Sequence, residues 1–198
     1  MPTILEITDI IGTSAFAISA LFLYKQYKFD LLGLIIIAIL TALGGGVIRA
    51  LLLNQTPTIF IDNTPIIIVI LSLTIGYLIK IKRSFEERSS FLLLDAIGLV
   101  SFSIMGSSIA IEHNLGYFGV IFISMISAVG GGVLRDLLLN RIPVLLTGGF
   151  YGMVSIIIGT IMFFFDINII IMFGIGLFLR LLAIKYKWSI SLAKEDNS

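Results

Sequence analysis

The chain has 198 residues, of which 58% are hydrophobic and 13% charged, with a formal net charge of +1. Soluble domains carry about 25% charged residues, so a water-exposed globular surface is excluded. A balance this near to neutral predicts no nucleic-acid partner, and the absence of cysteine removes disulfides and thiolate metal sites.

Apolar runs long enough for a ~30 Å hydrocarbon core fall at about 7–24, 31–54, 65–80, 91–111, 117–140, 144–164 and 168–185. The first reads as a retained span rather than a cleaved leader. Glu6 and Asp9 precede the first basic residue, Lys25, where a signal peptide needs a basic segment. The third run is the shortest. Lys25 and Lys28 follow the first span, Lys80, Lys82, Arg83 and Arg88 the third, Arg141 the fifth, and Lys185, Lys187 and Lys194 the seventh. Seven spans put all of these on one face, while the opposite loops hold Asp62, Glu112 and Asp166. The positive-inside rule then predicts an amino terminus outside and a carboxyl terminus in the cytoplasm. Tyr24, Tyr27, Tyr77, Tyr186 and Trp188 fall at the same cytoplasmic boundary, as interfacial anchors.

Within the second and fifth runs one motif occurs twice. Gly44–Pro57, GGGVIRALLLNQTP, returns 86 residues later as GGGVLRDLLLNRIP at Gly130–Pro143, with ten of fourteen positions identical. The offset also pairs Asp9 with Asp95, Gly12 with Gly98, Phe16 with Phe102, Gly33 with Gly119 and Ala42 with Ala128. Each repeat holds three spans. An odd number forces the second copy to cross in the opposite sense, and inverted-repeat proteins place substrate sites near midplane on interrupted helices. The expected fold is an all-α membrane protein of one domain, 1–198. Two inverted three-helix repeats, about 5–80 and 91–164, are followed by a seventh helix at about 168–187, with glycine-kinked helices two and five.

Glycine weakens a helix by roughly 1 kcal/mol relative to alanine, and an arginine at bilayer depth costs about 2.5–3.5 kcal/mol on insertion scales. A chain that carries both twice, in matched places, is built around them. A spacing of four lines up Thr41, Gly45 and Arg49 in one copy and Ser127, Gly131 and Arg135 in the other, a hydroxyl, bare backbone and a guanidinium along one face. With Gly44, Gly46, Gly130 and Gly132 these residues form the expected pathway lining. Unwinding at the glycines would free the carbonyls of Thr41, Ala42, Ser127 and Ala128 for transient contacts with K⁺ or Na⁺. The guanidiniums either pair with Asp9, Asp95 or Asp136, as polar network or gating partners, or meet an anionic group of a substrate. Close helix packing is the alternative reading of the glycines. Gly106, Ser107, Ala110, Gly148, Gly149 and Gly152 read as packing contacts, and His113 as a solvated loop residue beside Glu112. With one loop histidine and no paired carboxylates the sequence presents no evident catalytic nucleophile, base or metal site, and no enzyme activity and no cofactor are expected.

The paired GGGVIR and GGGVLR motifs, the three-plus-three-plus-one spans and the outside amino terminus resemble the prokaryotic trimeric intracellular cation (TRIC) channels, over roughly Leu5 to Lys187. The resemblance implies a homotrimer with a pore in each subunit, conducting monovalent cations, chiefly K⁺, and lined by the triglycines Gly44–Gly46 and Gly130–Gly132. Animal relatives carry a lysine motif that contacts phosphoinositide lipid. It has no match here, and contact with lipid is expected only as that of any multi-pass protein of the cytoplasmic membrane. Related bacterial sequences also carry a glycine-transporter domain name, which keeps open a secondary transporter for a small zwitterion such as glycine. A structural membrane protein whose glycines only pack is the third possibility.

Overall fold

The computed structural model describes residues 3–28, 30–79, 87–147 and 150–188, with the side chains of Lys25, Glu87 and Arg88 left out. Lys80, Lys82, Arg83, Lys194, Gly148 and Gly149 lie outside the described residues. Among those described, the regular elements are helical: α1 (Ile4–Tyr27), α2 (Leu31–Leu52), a 3-10 turn (Thr58–Phe60), α3 (Thr64–Leu78), α4 (Glu87–Glu112), α5 (Tyr117–Leu138), α6 (Val144–Thr147), α7 (Tyr151–Phe164) and α8 (Ile169–Lys185).

The eight α-helices fall on the seven apolar runs, and the sixth run departs from expectation. It is divided between the four-residue α6 and α7. Phe150, just ahead of α7, has a left-handed backbone with φ 63, a conformation that does not continue a right-handed helix. Helices α1, α2, α4 and α5 are long and apolar enough to cross a membrane. Helices α3 and α7 are apolar but have 15 and 14 residues; at 1.5 Å each they reach about 21–23 Å.

Local chemistry sets the ends. Thr3 and Glu6 form a capping box on α1, with Glu6 donating its N–H to Thr3 Oγ1 at 3.2 Å and Thr3 its N–H to Glu6 Oε2 at 2.9 Å. Asp30 caps α2 by accepting from the Gly33 N–H at 2.7 Å. Several helices end in the same way at equivalent places. Lys28 and Asn114 are left-handed after α1 and α4, and Asn54 and Asn140 after α2 and α5. Each pair is separated by the 86-residue offset.

Helix α1 packs along α4, and α2 along α5. The rings of Phe16 and Phe102 stack at 5.5 Å between α1 and α4, with Gly12 and Gly98 beside them. A β-carbon at Gly98 would collide with the Phe16 ring. Helix α4 also meets α7 and α8, and Leu99, Val100, Val154, Ile158 and Met172 are fully buried there. Phe118, Leu31 and Phe178 stand outward, as expected of a surface that meets lipid.

Candidate functional site

The site is the crossing of α2 and α5. Both helices run unbroken through their triglycines, from Leu31 to Leu52 and from Tyr117 to Leu138, so the expected unwinding is absent. The reason lies in the helix contact. A β-carbon on Gly45 would collide with the Ser127 carbonyl oxygen, and one on Gly131 with that of Thr41. A β-carbon on Gly44 would stand 3.3 Å from the Gly131 α-carbon, and one on Gly130 3.2 Å from that of Gly45. The first two glycines of each triplet thus let two backbones touch, the small-residue contact known from membrane helices. The carbonyls of Thr41 and Ser127, expected to face a cation, are instead turned onto the glycines of the facing helix. Ala42 and Ala128 are buried. Thr41 donates its hydroxyl to its own helix, at Ile37 O, 2.6 Å away, while the buried Ser127 hydroxyl has no hydrogen-bond partner.

The third glycine serves its own arginine. The position of a β-carbon on Gly46 lies 3.8 Å from Arg49 Nη2, and on Gly132 3.7 Å from Arg135 Nη2. Helical side chains lean toward the amino end, so each guanidinium folds back over a residue without a side chain.

Beyond that shared geometry the two arginines differ. Arg135 is 1% exposed; it donates from Nε to Asp136 Oδ1 at 2.9 Å and from Nη1 to Asp95 Oδ1 at 3.3 Å. Asp136 Oδ2 accepts in turn from the Val144 N–H at 3.0 Å, tying the network to the start of α6. The expected pairing is therefore present in the second copy. In the first, Ala50 stands where Asp136 does. Asp9 and Arg49 make no ion pair within 4.0 Å of each other; both line a cavity of about 80 Å³ with Gly46, Thr58, Pro65 and Phe102. The Arg49 Nη1 has no hydrogen-bond partner.

Three further residues join the second half-site. The Arg135 guanidinium lies 5.2 Å from the Phe91 ring, and that of Arg180 4.6 Å from the Tyr151 ring. Tyr151 and Arg180 are each 3% exposed. None of the three has an equivalent across the offset, which carries Leu5 and Pro65 at the first two positions. Arg180 was nonetheless visible as a basic residue inside the last apolar run. A serine cluster also joins α4, α5 and α7: Ser103 donates to Ser155 Oγ at 2.8 Å, and Ser124 to Ser103 O at 3.0 Å. His113, the expected loop residue, is exposed and has its Nε2 2.9 Å from Gln55 Nε2. Gly106 packs on α5, where a β-carbon would come within 2.7 Å of Ile123 O.

The family model described as glycine transporter matches the chain twice, at residues 6–80 and 92–166, the offset already read from the motif. A UPF0126 membrane protein of Deinococcus radiodurans is 39% identical over 68% of this chain and 63% of its own length, so the chain spans less than two thirds of that relative. The UPF0126 inner membrane protein YadS of Escherichia coli K12 is 32% identical over 77% of this chain and 74% of its own. Among solved structures, a prokaryotic TRIC channel crystallised in KCl is similar with a TM-score of 0.86 at 30% identity, over 96% of this chain and 100% of that one. A second, solved to explain conductance through TRIC cation channels, has a TM-score of 0.83 at 33% identity, over 99% of this chain and 100% of the other.

Proposed function

The chain belongs to the prokaryotic TRIC channel family and carries the glycine transporter family's repeat twice, and from that membership and the site geometry we propose that it is a cation channel of the cytoplasmic membrane, permeable to K⁺. The two solved relatives are named as channels, one of them for cations. In this reading the chain is one membrane domain with seven spans. α1–α3 and α4–α7 form inverted repeats, α8 stands outside them, and three copies assemble with a pathway inside each. The amino terminus is outside, which places Asp9 and Arg49 toward the outer face and Asp95, Asp136 and Arg135 toward the cytoplasm. Membrane lipid surrounds the trimer, and Na⁺ shares the pathway.

The observation that carries this reading is the pair of charged half-sites flanking the glycine contact of α2 and α5. One is bonded shut around Arg135, and the other opens as the cavity between Asp9 and Arg49. An arginine in hydrocarbon needs a partner, and Asp9, Asp95 and Asp136 balance Arg49, Arg135 and Arg180 one for one. A passage so neutralised admits a monovalent cation without presenting it with net positive charge. The triglycines form its narrowest part because the helices touch there, and parting α2 from α5 widens it. A bend at either triplet serves that movement without any loss of helix.

A second reading has one specific support. A carboxylate and a guanidinium, held apart across a small cavity of mixed polar and apolar lining, match the ammonium and carboxylate of a small zwitterion such as glycine. Purified protein in a planar bilayer under a KCl gradient separates the two. Discrete current steps reversing near the K⁺ equilibrium potential are expected; saturable glycine uptake without steps overturns the channel reading. Silence in both assays leaves the glycines to packing alone.

A further inference from the structure

We infer that the ring of Tyr151, held by Arg180 of α8, is the plug that closes the second half-site, and that Pro65 at the equivalent place leaves the first half-site open. The inference rests on the pathway proposed above. At the 86-residue offset the cavity residues Asp9, Gly46, Arg49 and Pro65 correspond to Asp95, Gly132, Arg135 and Tyr151. A phenol thus enters the second half-site where the first has the compact proline ring. Its hydroxyl stands 3.8 Å from the position of a β-carbon on Gly132, and Arg135 Nη2 3.7 Å from the same point. Ring and guanidinium therefore converge on the third glycine, the counterpart of the one that borders the cavity beside Arg49.

A guanidinium also holds the ring. Arg180 lies 4.6 Å from its centroid, on a helix beyond both duplicated segments. A cation over an aromatic face is held more strongly when both are desolvated, and Tyr151 and Arg180 are 3% exposed. The repeats alone would give two like half-sites; α8 contributes the group that makes them unlike. Arg180 acts through Tyr151 and is a positioning residue, while Tyr151 blocks the passage itself. Opening requires the ring to leave Gly132, and any movement of α8 that withdraws Arg180 favours it.

The chain has no cysteine, so thiol accessibility reads the two half-sites directly. Val47→Cys and Val133→Cys, equivalent across the offset, are placed singly in the full chain in lipid nanodiscs and exposed to a methanethiosulfonate ethylammonium reagent. Val47→Cys is expected to react and Val133→Cys to stay protected. Adding Tyr151→Ala to Val133→Cys is expected to raise its rate at least ~10-fold, the factor given by about 1.4 kcal/mol. Tyr151→Phe keeps the ring and the protection, and Arg180→Gln gives a partial increase. Val47→Cys carrying Tyr151→Ala must keep its own rate, which shows that the fold survives. Equal rates at the two positions in the parent chain, or no acceleration by Tyr151→Ala in such folded protein, overturn the plug. Protection unchanged by Arg180→Gln overturns the positioning role. Potassium flux is measured in parallel. Absent flux with the expected labelling removes the channel reading and leaves the plug; flux without the labelling change does the reverse.

Discussion

A β-carbon on Gly45 meets the Ser127 carbonyl oxygen and one on Gly131 that of Thr41, whereas one on Gly46 finds nothing nearer than Arg49 Nη2 at 3.8 Å. Neighbouring glycines should therefore respond to alanine with opposite signs. Gly45→Ala or Gly131→Ala forces two backbones apart, and overpacking costs about 1–3 kcal/mol. Alanine's better helix propensity, roughly 1 kcal/mol, offsets only part of it. Gly46→Ala gains the propensity without the collision, so its melting temperature in detergent should hold or rise while those of the other two fall. The carboxylates divide in the same manner. Asp136 and Asp95 both hold the buried Arg135, and removing one partner of a buried pair costs about 3–5 kcal/mol. With a second carboxylate left in place, Asp136→Asn should fall at the lower end of that range. Asp9 is outside ion-pair distance of Arg49, and Asp9→Asn should cost less than about 1 kcal/mol, as for weak pairs. Equal losses of melting temperature for Asp9→Asn and Asp136→Asn would contradict the asymmetry.

The start of α3 has a pH dependence whose sign follows from one hydrogen-bonded turn. Asp62 Oδ1 accepts from the Thr64 N–H at 2.9 Å and its hydroxyl at 2.8 Å, and the backbone bond first, then the hydroxyl, hold its pKa below the ordinary carboxylate value. A lowered folded-state pKa gives stability that is present above the unfolded value, about 3.9, and lost as pH falls through the folded one. Protection factors for the first turn of α3 should stay level from about pH 7 to 5 and drop only below about pH 4. That helix, like the others, was legible as an apolar run, because hydropathy reports burial in lipid or core without regard to partners. The continuity of α2 and α5 was not legible. Each triglycine reads locally as a helix breaker, and what packs against it is the other triglycine helix, in contacts such as Gly45 with Ser127 and Gly131 with Thr41 that are distant in sequence. The division ahead of α7 did leave a mark, since Gly148 and Gly149 form a pair that punctuates helices, although Phe150 by itself gives no sign of a left-handed backbone. Asp95 and Arg135 were recoverable from the duplication, Asp136 only from its place beside the repeated arginine, and the three do meet. Tyr151 and Arg180 escaped because a repeat draws attention to what is copied, and these two are what the copies do not share.

At the scale of the molecule, the proposed arrangement turns on the sense in which each repeat crosses. Three spans per repeat invert the second copy relative to the first, and every loop then has an assigned side. The loop after α4, with Glu112 and His113, carries no Lys or Arg and belongs outside; the turn after α5 carries Arg141 and belongs to the cytoplasm. Two features bear on that count. Helices α3 and α7 are only 15 and 14 residues long, and α6 stands apart from α7, so the competing arrangement is a repeat that crosses twice and dips once. A repeat with two crossings would place both of its ends on one side and leave the copies parallel. Alkaline phosphatase, active only outside the cytoplasm, distinguishes these when fused after particular residues of the full membrane-inserted chain. A fusion following His113 should be active and one following Arg141 inactive, with a fluorescent protein giving the complementary pattern. A fusion following Asp62 should be active and one following Lys28 inactive, repeating the order of signs from inside to outside across α2 and reversing it across α5. Activity of the same kind at His113 and Arg141 would mean that α5 does not cross, and with it would go the placement of the Arg49 and Arg135 half-sites toward opposite faces.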